Sequence, residues 1–164
     1  MRGSSRFHVI ALIAIALFAT TAHAESYKFV RQWGTHGSGP GQLSWPTSLA
    51  LDRRGYIYVT ELDNNRVQRF RLDGTFVSKW GGSGTGAGQF VRPEGVEVDT
   101  SGNVYVTDPG NHRVQKFAPD GQFILQWGSY GIDPGYFQHP GGLVADTIGS
   151  IYVAGTSLRR GRQK

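Results

Sequence analysis

The sequence predicts an all-β chain: a β-propeller of four-stranded antiparallel blades, incomplete, with two full blades plus parts of two more. Three observations predict it. The chain repeats itself at a step of 47 residues, which superimposes Trp33, Trp80 and Trp127, then Pro46, Pro93 and Pro140, then Asp52, Asp99 and Asp146. Each unit divides into short runs rich in Val, Tyr, Phe and Ile, bounded by Gly, Asp, Asn and Pro. Finally, Val114 and Phe117 are three apart, as are Val67 and Phe70. In an extended strand such residues point to opposite faces, so both faces of the sheet must be covered. Radially arranged copies of the sheet provide that cover; a linear solenoid is the competing arrangement.

The first residues read as a leader. Arg2 and Arg6 precede an apolar run from Val9 to Phe18, and Ala22 and Ala24 supply small residues for cleavage after Ala24. The apolar run is about half of the ~20 residues needed to span a bilayer, so a signal peptide over residues 1–24 is expected rather than a stable membrane anchor. The location that follows is periplasmic or extracellular. With no cysteine in the chain, an exported domain must hold together by packing alone.

Residues 25–154 are read as the propeller portion. Tyr27 to Gly34 matches the last strand of a unit, and residues 46–81 and 93–128 are complete units. In the middle unit the runs are Gly95 to Asp99, Val104 to Asp108, Arg113 to Ala118 and Gln122 to Trp127. Asp120-Gly121 is expected to make a two-residue reversal, because Asp-Gly tolerates the positive φ of tight hairpins. Residues 140–154 supply two strands of a further unit. Residues 155–164 read as a basic irregular tail, because Arg160 keeps register with Arg66 and Arg113 but the residues after it do not continue the third strand.

Phe90 to Asp99, Gly102 to Asp108, Asn111 to Phe117, Asp120-Gly121 and Trp127-Gly128 together resemble the NHL-repeat β-propeller family, over Tyr27 to Val153. The resemblance implies a propeller, usually six-bladed, with the first strand of each blade lining a central channel; it implies no single activity. Six blades at this period need about 280 residues. The expectation is therefore either a truncated propeller or a homodimer that closes a ring.

Charge excludes one class of partner. The formal charge of +5 is concentrated at the two ends, whereas Glu25 to Leu158 holds 11 basic and 12 acidic residues. Relatives that bind RNA use a basic face, which this body lacks, so no nucleic-acid partner is expected.

Residues that recur in every unit are read as scaffold. Arg66 with Glu61, and Arg113 with Asp108, are expected to tie the connection between second and third strands. Trp33, Trp80 and Trp127 are expected to pack the blades. The glycine-rich run from Gly82 to Gly88 lacks the Lys-Ser/Thr of a phosphate cradle and reads as a flexible connector, as do Thr35 to Gly41 and Ser129 to Gly135.

Residues that differ between units are the candidates for function. Before the shared proline stand Trp45, Arg92 and His139, and after it Thr47, Glu94 and Gly141. Together with His36 and His112, these define a ligand-binding face for a protein, peptide or glycan. The rival reading is a metal-dependent lyase or lactonase-like enzyme, since related propeller lyases place histidines from several blades around a central ion. His36, His112 and His139 occupy three different places in the repeat, and no Gly-x-Ser-x-Gly nucleophile pattern or acid/base carboxylate pair is present. No catalytic residue, metal ligand or cofactor is therefore assigned; Zn²⁺ or Ca²⁺ belongs to the enzyme alternative alone. A third reading is a gene fragment without independent function.

Overall fold

The computed structural model describes residues 29–156. The leader expected at 1–24 and residues 157–164 of the basic tail lie outside the described residues. Two four-stranded antiparallel sheets and a two-stranded one follow in order. The first contains β1 (Pro46–Leu51), β2 (Tyr56–Glu61), β3 (Arg66–Arg71) and β4 (Phe76–Gly81). The second contains β5 (Val96–Val98), β6 (Val104–Asp108), β7 (Arg113–Phe117) and β8 (Phe123–Trp127). β9 (His139–Ala145) pairs with β10 (Ile151–Thr156), which runs two residues past the boundary read at Ala154.

In both full sheets the strands lie in sequence order, so each is a meander. The first strands β1, β5 and β9 are neighbours across the sheets, which sets the blades side by side about their inner edges. The described sheets form an open arc of propeller blades. Residues 29–34 join no strand ladder. As the fourth strand of a blade they have no third strand among the described residues to pair with, and an unpaired strand leaves its backbone to water.

Both sheet faces are covered as the spacing of Val114 and Phe117 requires; each is fully buried. One cluster joins the blades: Ala50, Tyr58 and Val67 from the first meet Val96, Val104, Val106 and Phe117 from the second, with Phe90 between them. Each large side chain buried there contributes about 1.5–3 kcal/mol. A second cluster seats Trp33 against Leu43, Ile57, Val59, Phe70 and Phe76.

The repeated aspartates build the turns between first and second strands. Asp52 accepts hydrogen bonds from the Arg54 and Tyr56 N–H groups and from the Tyr58 hydroxyl. Asp99 does the same with Ser101, Asn103 and Tyr105. A short carboxylate mimics a backbone turn in this way, which explains its recurrence.

The hairpin after β7 differs from the two-residue reversal expected at Asp120-Gly121. The Ala118 N–H bonds the Gln122 carbonyl, and the Gly121 N–H returns to the Ala118 carbonyl at 2.9 Å. The loop is therefore the three residues Pro119, Asp120 and Gly121, with Gly121 at φ +92°. The loop Leu72-Asp73-Gly74 closes in the same way without a proline, so the shared Asp-Gly settles in the longer form, in which the glycine alone takes positive φ and a bulge absorbs the extra residue.

Candidate functional site

First strands begin, second strands end, third strands begin and fourth strands end at one end of the blades. All the repeat-variable candidates therefore gather there, while the aspartate turns occupy the opposite end. The first two connectors at the candidate end are pinned, in contrast to the flexible linkers expected from their glycine content. The Arg113 Nε donates to Asp108 Oδ2 at 2.8 Å, and its remaining nitrogens reach the carbonyls of Thr85, Gly86 and Gln89. Arg66 pairs with Glu61 and holds Ser38, Gly39 and Gln42 identically. Both pairs are buried. A guanidinium offers five donors in a rigid fork, so one side chain both neutralises the carboxylate and anchors three carbonyls of one connector.

Trp33 and Trp80 pack against the following blade, Trp80 also touching Tyr58 of its own, while Trp127 packs on Tyr105 within its own blade. Trp80 meets Tyr58 edge-on at 6.1 Å and Phe117 at 5.7 Å. Trp33 lies by Phe70, and Trp127 by Tyr105.

Just before the shared proline the backbone is unusual. Trp45 has φ +48° and Arg92 φ +58°, the left-handed region that costs an ordinary residue about 1–2 kcal/mol. Both side chains are exposed, Trp45 at 67%. Neighbouring groups hold this geometry: the Leu62 N–H bonds the Trp45 carbonyl, and the Arg92 N–H donates to Asn65 Oδ1 at 2.7 Å.

Just after the proline, Thr47 of β1, Glu94 ahead of β5 and Gly141 of β9 sit side by side. The hydroxyls of Thr47 and Thr60 both reach the Glu94 carbonyl, at 2.9 and 2.7 Å. One blade on, Thr107 reaches the Gly141 carbonyl at 2.7 Å. The Glu94 carboxylate lies 3.6 Å from His139 Nε2, an exposed pairing of two candidates that the linear sequence does not bring together.

His112 has a definite structural task. It closes a 3₁₀ turn, Pro109–Asn111, at φ +55°, and its Nδ1 is 2.6 Å from the Gln138 carbonyl in the next unit. A carbonyl only accepts, so Nδ1 carries the proton. Asn65, its counterpart, also ties forward to the next unit but as an acceptor, its Oδ1 taking the Arg92 N–H. His36 is exposed on the first connector, where only its backbone bridges to Leu43. Among the described residues no group of three His, Cys, Asp or Glu side chains comes close enough to hold a metal ion.

The chemistry available is thus that of a surface: an exposed indole, a guanidinium, an imidazole and a carboxylate on a rigid rim. Comparison with known proteins places the repeat. The NHL repeat family matches residues 90–117. Residues 90–117 thus carry one NHL repeat. Protein lin-41 of Caenorhabditis elegans is 46% identical over 44 residues, which is 27% of this chain and 4% of that protein. The chain thus spans only a small part of this relative's length. Among solved structures, hydrazine synthase of Kuenenia stuttgartiensis is similar at a TM-score of 0.54 and 18% identity, over 73% of this chain and 31% of that one. Virginiamycin B lyase of Staphylococcus aureus follows at 0.53 and 15%, over 68% and 35%. At these identities the likeness is one of fold, and it supports the propeller architecture of the described sheets.

Proposed function

We propose that this chain is an exported binding module, which takes a protein, peptide or glycan on the end of its blades where Trp45, Arg92 and His139 stand. One observation carries the reading. Two successive blades hold a large, exposed side chain in the left-handed region at the residue before the shared proline, Trp45 and Arg92. Backbone strain of this kind persists where the surroundings enforce it and gathers at ligand-contacting positions. Glycine or asparagine would take this φ at lower cost. Tryptophan and arginine are also the residue types that dominate binding hot spots.

The test is capture of partners from periplasmic and culture fractions by the mature chain, set beside a variant carrying Trp45→Ala, Arg92→Ala and His139→Ala. The reading predicts that captured species are lost from the variant while its thermal unfolding is unchanged. Undiminished capture by the variant would remove this face from consideration. Turnover by the purified chain that depends on added Zn²⁺ or Ca²⁺ would favour the enzyme alternative.

A further inference from the structure

The three connectors share one backbone plan but not one surface. In the second, the step of 47 residues places Ser83, Thr85, Gly86 and Gln89; in the third, the same positions hold Tyr130, Ile132, Asp133 and Tyr136. The first follows the second in Ser38, Gly39 and Gln42, with the polar His36 in place of Ser83. The plan itself is kept. The parallel bridge between Ser83 and Phe90 recurs between Tyr130 and Phe137, and the turn bond from Gln89 N–H to the Gly86 carbonyl recurs from Tyr136 to Asp133 at 3.0 Å.

Exposure at these positions belongs to the plan. Ser83, Thr85, Gly86 and Gln89 are exposed even though β7, the third strand beside them, is in place. In the third connector the same exposure falls on Tyr130 at 67%, Ile132 at 69% and Tyr136 at 50%. Large apolar side chains thus stand where the other two units carry small or polar ones.

These rings are also held. Tyr130 meets the His112 ring edge-on at 4.9 Å, and His112 is itself fixed by Gln138. Tyr136 lies over Gly131, where an added Cβ would fall 2.9 Å from three of its atoms. Pro134 and Gly135, the latter at φ +87°, form the turn that sets Asp133 beside Tyr136. Pre-ordered aromatic loops on a β scaffold offer large contact area at low entropic cost, which is the physics of an antibody paratope.

Charge selects the occupant. Between Gly128 and Gln138 the only charged residue is Asp133, and its carboxylate enters no ion pair among the described residues. A cation paired with this carboxylate would have Tyr136, three residues on across the turn, to receive its alkyl stem, and an apolar neighbour would cover Ile132. We propose that the third connector is the anchor site for a segment of a partner protein that presents lysine or arginine next to an apolar side chain. The inference rests on the binding-module reading in that it uses the same end of the blades.

The test screens the full chain against a random peptide display library and measures the affinity of an enriched peptide by fluorescence polarisation. Enriched sequences should pair Lys or Arg with an apolar residue. Affinity should fall at least about tenfold for a variant with Tyr130→Ser, Ile132→Thr, Asp133→Gly and Tyr136→Gln, which carries the second connector's own residues and so a surface that this backbone already accommodates. Asp133→Asn alone should weaken binding and flatten its salt dependence. Enrichment of acidic or uncharged sequences, or equal affinity for the four-residue variant, overturns the inference. If affinity is lost only on changing Trp45, Arg92 and His139, the binding-module reading stands and this one falls. Capture of glycans but no peptide also overturns it, and a chain that binds neither loses both readings.

Discussion

Trp80 lies so close over Gly121 that a Cβ on the glycine would fall 2.6 Å from indole Cδ2. Trp33 and Gly74 repeat the contact one unit earlier, at 2.7 Å. The indole of one blade thus rests on the hairpin of the next, and only glycine leaves it room. Gly121→Ala should cost on the order of 3 kcal/mol, combining strain at φ +92° with displacement of the ring. Gly149 has a similar φ of +96° but open space around it, so Gly149→Ala should cost about 1 kcal/mol. Urea unfolding of the two variants separates the contributions; equal losses would mean that the ring contact contributes nothing.

Arg113→Ala leaves the Asp108 carboxylate buried without its cation and frees three connector carbonyls, so a loss of about 3–5 kcal/mol is expected. Arg113→Lys keeps the charge but not the fork, and should recover only part of that. Amide hydrogen exchange gives the more specific signature: protection should fall in residues 82–90 before it falls in β6 or β7.

His112→Asn should be tolerated within about 0.5 kcal/mol, because asparagine accepts the left-handed backbone and carries an N–H donor for the Gln138 carbonyl. His112→Val lacks the donor and resists that φ, and should cost about 2 kcal/mol. Thermal unfolding of the pair measures the difference.

Burial pushes the Tyr58 hydroxyl up to about 12, aided by Asp52 and opposed by Arg69. The unfolded chain ionises this group near pH 10 and so binds fewer protons than the folded one above that pH. Stability should therefore fall as pH rises from about 10 towards about 12. Tyr58→Phe should flatten that part of the pH profile; an unchanged slope would show that Tyr58 plays no part in it.

The blade was legible in the sequence because its period repeats without insertion, and because Val114 and Phe117 need cover on both faces. The Arg–carboxylate pairs were legible for the same reason. What escaped sequence reading depends on contacts between units. His112 stood out as the variable residue of its stretch, yet its ring ties to Gln138 across a blade boundary, which no pattern within a unit reveals. The connectors read as flexible from their glycines; Arg66 and Arg113 order the first two from a distance of more than twenty residues in sequence. Proximity of Glu94 and His139 likewise follows from laying β5 beside β9. Tyr130, Ile132 and Tyr136 could have been noticed by applying the 47-residue step to the connectors as well as to the strands.

The central claim is that residues which vary between blades form the binding face, while those that recur are scaffold. Hydrogen–deuterium exchange of the chain with and without a captured partner tests it most directly. New protection is expected around residues 45–47, 92–94 and 129–141, with the aspartate turns at 52–56, 99–103 and 146–150 unchanged. Protection confined to those aspartate turns would contradict it.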